Sequence, residues 1–130
     1  MQKISLDALA DHHLRLARDS SAGRSASTVY GGHERSLRQT VIAMREGTEM
    51  SEHPNPGQST LQVLRGRVRL FSGEHSWDAR TGDMIIIPEA RHSLTALADS
   101  AILLTVVMND DPPEETSLRR EQEQQATASS

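Results

Sequence analysis

The sequence predicts an all-β domain, a sandwich or barrel, preceded by a single helix. Three observations carry this. The chain has 130 residues, enough for one hydrophobic core and too few for two ordinary ones. After Gly32, short β-forming runs alternate with turn residues at roughly every 8 to 12 positions, as sandwiches and barrels require. Before it, residues 5–18 repeat apolar side chains at helical spacing.

The helix is read from Ser5 to Arg18, where Leu6, Leu9, Ala10, His13, Leu16 and Ala17 form one face. Asp7 lies in its first turn and Arg15 and Arg18 near its end, where each suits the helix dipole. Only His13 of the pair His12-His13 shares the apolar face, so packing is expected of it rather than convergence on an ion. Asp19 to Gly23 reads as a loop, with Gly23 suited to a left-handed conformation. A β-leaning stretch, Ser27–Tyr30, stops at Gly31-Gly32, and His33 is read as a loop residue. Further strands are expected at Arg38–Met44, Met50–His53, Ser59–Leu64, Arg67–Phe71, His75–Asp78, Met84–Ile87, His92–Ala96 and Ala101–Met108.

Ile85–Ile87 and Ile102–Val107 are apolar on both faces, which predicts that both lie centrally, one face on the core and the other covered by helix, terminus or partner. Arg65, Arg67 and Arg69 alternate through one hairpin as a solvated face that blunts edge pairing. Trp77 is expected to anchor core or interface. The organisation is therefore residues 1–23 as helix and loop, 24–109 as barrel, and 110–130 as a tail. That tail, with Asp110-Asp111-Pro112-Pro113-Glu114-Glu115 and a Gln-, Glu-, Ala- and Ser-rich finish, has almost nothing to bury and is expected to be disordered.

Composition narrows the function. The hydrophobic share is 35%, almost all aliphatic, with Trp77, Tyr30 and Phe71 the lone members of their types. Base-stacking platforms are thus disfavoured. Net charge is −4, from 18 acidic and 14 basic residues, and the basic residues are scattered, so no nucleic-acid partner is expected. There is no cysteine, which removes disulfides and thiolate chemistry. Neither a secretory leader nor a run of membrane-spanning length is visible, so a cytoplasmic protein without a membrane partner is expected. No serine sits at a strand-to-helix elbow, and no glycine-rich loop precedes the helix.

Two segments remain, and they carry the chemistry. One runs from Gly47 through His53, Asn55 and Ser59 to Gly66; the other runs from Gly82 through Pro88 and Ala90 to His92. Together they resemble the two motifs of the cupin superfamily, in particular its small single-domain bacterial members. The first family motif is glycine, five residues, His-x-His, three or four residues, Glu, six residues, glycine. The second is glycine, five residues, Pro-x-Gly, two residues, His, three residues, Asn. Gly47, His53, Gly66, Gly82 and Pro88 fall on motif positions. Asn55 replaces the second histidine, Ser59 the glutamate and Ala90 the second motif's glycine, while His92 comes one residue early and Ala96 stands where asparagine belongs. The resemblance spans roughly residues 38–108 and implies a double-stranded β-helix, the jelly-roll barrel.

His53 and Asn55 are two apart on one strand and so face the same side, where His92 from another strand can join them. Gln58 becomes the nearest further acceptor if a bulge at Pro56-Gly57 shifts the register by one; Gln62 is turned away by simple alternation. Glu52 and Glu89 neighbour these positions but point elsewhere in regular strands. The expected ligand pocket and metal set is therefore His53, Asn55, Gln58 and His92. Because these donors are neutral, they would hold a divalent ion (Fe, Mn, Ni or Zn) only weakly. The leading expectation is a barrel that binds a small molecule, with or without such an ion. The alternative, which the resemblance permits, is a metal-dependent dioxygenase, isomerase or decarboxylase; a structural dimer without a site is third. Retention of two histidines in aliphatic strands speaks against the third, because burying unused imidazoles is costly. A homodimer is expected from the resemblance and from the two-faced apolar strands.

Overall fold

Helix α1 (Leu6–Asp19) begins where Ser5 turns extended and its Oγ accepts the Ala8 N–H at 3.2 Å, a side-chain N-cap. It is part of a computed structural model that describes residues 1–32, 34–53 and 58–107, with only the backbone for Glu52 and His53. His33, Asn55 and the expected tail lie outside the described residues. The strands are β1 (Arg24–Tyr30), β2 (Leu37–Met44), β3 (Glu49–His53), β4 (Gln58–Arg65), β5 (Arg67–Ser72), β6 (His75–Arg80), β7 (Met84–Ile87), β8 (His92–Ala96) and β9 (Ser100–Val107). Each expected strand is present, most of them a residue or two longer.

The strands form two antiparallel sheets, ordered β1-β2-β9-β4-β7 and β3-β8-β5-β6. Alternation along each strand gives the larger sheet two working faces. Its inward face supplies Ile42, Met44, Leu61, Val63, Ile87 and Ile102 to a core shared with Val68, Leu70, Leu94 and Ala96 of the smaller sheet. Its outward face carries Val41, Ala43, Leu64, Ala101 and Leu103, which receive Ala10, Leu14 and Ala17 of α1. The alanines on both sides let helix and sheet approach closely. Leu14 is the buried leucine of this face, whereas Leu16 is largely exposed.

The centre of the larger sheet is β9, as its two-faced sequence predicts. The expectation for Ile85–Ile87 needs correction: β7 is an edge strand, and Ile86 stays 76% exposed and Met84 59% exposed. An apolar residue on both faces shows that each face tolerates burial, not which neighbour covers it. The arginine hairpin is also revised, because β5 is internal, paired with both β6 and β8. Arg69 instead makes a two-pronged bond to Asp78, Nε–Oδ1 at 2.6 Å and Nη2–Oδ2 at 2.9 Å. Arg65 reaches back to α1, with Nη1 3.3 Å from Asp7 Oδ1 and Nε 3.5 Å from Asp11 Oδ1. Trp77, 46% exposed on the edge strand β6, is not a core anchor.

The helix is fastened at both ends. Asp99 accepts the Glu46 N–H at 2.8 Å and Arg18 Nε at 3.0 Å, which hold its carboxyl below the usual range. Near its middle, the buried His13 ring bonds Ser25 Oγ through Nδ1 at 2.7 Å and Ser27 Oγ through Nε2 at 2.8 Å. A neutral imidazole has one donor and one acceptor nitrogen, and two hydroxyls can match both. Burial, and secondarily His12, lower the His13 pKa below 6.5. The folded state therefore prefers neutral His13, so its contribution is complete above about pH 6.5 and declines as pH falls below that value. Thermal midpoints measured from pH 7.5 to 5.5 are expected to drop more in wild type than in His13→Gln; equal slopes would remove His13 as the source.

Candidate functional site

The barrel interior changes character along its axis. Ile42, Leu61, Ile102 and Leu94 mark the inward positions of their strands, and stepping two residues outward from the core keeps the same face. On β2 this leads through Thr40 to Arg38, on β9 through Leu104 to Val106, on β4 to Ser59, and on β8 to His92. Register sets these in line: Arg38 opposite Val106, Val106 opposite Ser59, and Ser59 opposite Ile87. On the other sheet, His53 lies opposite His92. Polar residues thus collect at one end, above an apolar floor.

The β3–β8 register explains how His53 reaches that row. Met50 opposes Leu94 and His53 opposes His92, so three steps on β3 answer two on β8. A regular ladder would pair residue 52 with His92; the irregularity after Met50 brings the backbone of residue 53 opposite it, as bulges near sites often do. His92 is 7% exposed and shares the buried phase of Leu94 and Ala96 on β8.

His92 Nδ1 lies 3.1 Å from the Ala90 carbonyl. A carbonyl only accepts, so Nδ1 carries the proton and Nε2 is the basic nitrogen of the neutral ring. The ring lines a cavity of about 30 Å³ with Met50, Leu61, Leu70, Ile87, Leu94, Ile102 and Leu104. That space suits a water molecule or a short apolar group, and flexible Met50 is the lining side chain best able to adapt.

Of the four expected site residues, the structure brings His53 and His92 into register. Asn55 lies outside the described residues. Gln58 is corrected: it is exposed on the outward face with Gln62, while Ser59, 7% exposed, occupies the inward position. From Gln58 to Val63 the pairing with β9 is regular, and Ser59 keeps phase with Leu61 and Val63. Sequence reasoning missed Arg38. It shares the phase of Ile42 and Met44, which was the available signal.

The divalent ion that the cupin resemblance implies finds no complete set of donors among the described residues. Among the described residues no three His, Cys, Asp or Glu side chains converge. The inward donors described are an imidazole and the Ser59 hydroxyl, with no carboxylate, so they do not fit as a metal centre. No described helix is long and apolar enough to cross a membrane.

No family model and no curated protein matches the sequence. Similarity appears among solved structures. A cupin superfamily protein from Desulfitobacterium hafniense matches with TM-score 0.66 and 12% identity, over 83% of this chain and 92% of that one. A conserved protein of unknown function from Streptococcus pyogenes matches with TM-score 0.63 and 22% identity, over 71% and 80%. Salicylate 1,2-dioxygenase from Pseudoaminobacter salicylatoxidans, solved with gentisate, matches with TM-score 0.64 and 20% identity, over 78% of this chain but 31% of that enzyme. The two facing sheets, their strand order and these likenesses together give this chain the cupin fold.

Proposed function

We propose that the protein binds a small molecule at the polar end of its barrel and does so without needing a metal ion. The observation that carries this is the layering: an oriented His92 lines a cavity otherwise walled by Met50 and aliphatic side chains, and buried Ser59 shares the inward phase of Leu61 at the same end. Ligand sites commonly combine such an apolar lining with a few placed polar groups. The bond to the Ala90 carbonyl fixes the plane of the His92 ring at the cavity wall. The metal-dependent enzyme is the second reading, supported by the His53–His92 register and by the likeness to a dioxygenase. It lacks a described carboxylate.

A second copy of the chain is the proposed protein partner, because β7, last in the order of its sheet, exposes Met84 and Ile86 beside half-exposed Val107. One set of samples tests these readings: metal-stripped wild type and a His53→Ala, His92→Ala double variant, followed by amide NMR against a panel of small acids, amides and alcohols. Shifts centred on Leu61, Leu94 and Ile102 are expected in wild type and not in the double variant. Absence of such shifts, with about one Fe²⁺ or Mn²⁺ per chain by elemental analysis and turnover on loading, would replace the binding reading by the enzyme reading. A single-chain mass by light scattering would overturn the dimer.

A further inference from the structure

The guanidinium of Arg38 is the least explained polar group described in the molecule. It stands on the inward face of β2, in the row of Val106, Ser59 and Ile87 that rims the barrel's polar end. Its Nη2 donates to the Gly32 carbonyl at 3.2 Å, which ties the planar group to the β1–β2 connection. Its Nε is buried and has no hydrogen-bond partner. The described ion pairs engage Arg18, Arg65 and Arg69, and none involves Arg38. A buried donor of a charged group left unmade is expensive, more so than a neutral one, and is retained where something else accepts it.

We infer that Arg38 receives the carboxylate of the barrel's ligand, and that the ligand class is a short-chain monocarboxylate. This deepens the small-molecule reading and rests on it. The chemistry follows from three features. A fixed guanidinium presents N–H donors in the fork that matches a carboxylate, and the Gly32 tether sets its plane in advance. Beneath the rim, the cavity is lined by Met50, Leu61, Leu94 and Leu104 and measures about 30 Å³, room for a short apolar group and no second charge. A second anionic group would lie among aliphatic side chains without a donor, so dicarboxylates and phosphorylated sugars fit poorly. His92 lines the cavity below, whereas Arg38 decides that the ligand is an anion.

The probes are butanoate and its neutral isostere butanamide, titrated by amide NMR into full-length wild type, Arg38→Gln and Arg38→Lys. Wild type is expected to bind butanoate at least tenfold more tightly than butanamide, with shifts at Leu61, Leu94 and Leu104. Arg38→Gln is expected to bind both equally, and Arg38→Lys to recover part of the preference through charge without the fork. If both probes shift the interior of wild type equally, or if Arg38→Gln keeps the tenfold preference, the Arg38 assignment fails while the barrel reading stands. If neither probe shifts the interior residues of wild type, the monocarboxylate assignment fails, and binding there by other panel members would show the barrel reading surviving it. Because wild type alone decides two of these outcomes, the inference is tested even if Arg38→Gln does not fold.

Discussion

Gly66→Ala is expected to destabilise the protein by about 3 kcal/mol or more, enough to leave much of a typical small domain unfolded at moderate denaturant. Gly66 joins β4 to β5 with φ +81°, a left-handed conformation that an L side chain adopts only with strain. Space is the larger obstacle. A Cβ there would collide with the Asp99 carbonyl and Ser100 Oγ, and would stand 2.9 Å from Ser100 Cα. These are backbone and fully buried groups, so the neighbour cannot swing aside. Ser100 Oγ also accepts the Arg67 N–H at 3.0 Å and lies 2.7 Å from the Ala98 carbonyl, so displacing it breaks the bonds that seat β9 against the hairpin. Urea unfolding at neutral pH measures this directly. A loss below about 1 kcal/mol would mean that the junction relaxes, contrary to the packing described.

Leu70→Ala is expected to cost about 2–5 kcal/mol, the range for removing a large aliphatic side chain from a filled core. Leu70 is 1% exposed and lies between Leu94 and Trp77 in the smaller sheet. It also lines the cavity beside His92, so the same substitution lengthens the space below the polar rim. Two readouts should move together: the unfolding midpoint falls, and the chain length of the best-bound carboxylate rises by one or more carbons. A fall in stability with unchanged chain-length preference would place the ligand elsewhere than over Leu70.

Much of the fold was legible because its signals are local. Ser5 and the apolar spacing locate α1, and the alternation of Arg67 to Leu70 locates β5 and its buried face. Residues 102–107 announce a strand covered twice, and the structure supplies both covers at Ile102 and Leu103, with exposure rising toward Val107. What was hidden depends on neighbours far along the chain. The three isoleucines of β7 carry the same pattern as a central strand, yet the sheet ends there. A bulge at Pro56-Gly57 is what would carry Gln58 inward; in the described register Ser59 takes the inward position and Gln58 faces out. Arg38 escaped notice because a charged residue in a strand is ordinarily assigned to solvent, even when its phase matches Ile42 and Met44. For the site itself, the two motifs led to His53 and His92, and the register sets them opposite each other.

The position of β9 also fixes an order of events in the life of the chain. The last described strand occupies the middle of the larger sheet, between β2 and β4, so neither neighbour has its full hydrogen-bonding complement until residues 100–107 arrive. Closing β2 onto β9 joins positions separated by most of the barrel, a non-local step that slows folding. The seat of α1 includes Ala101 and Leu103, so an element made well before β9 is among the last to dock. During synthesis from the N-terminus, the helix must wait with its apolar face open until the final strand leaves the ribosome. Its many charged and polar residues on the other face, and a length too short to be stable alone, keep that wait from committing the chain to a premature structure.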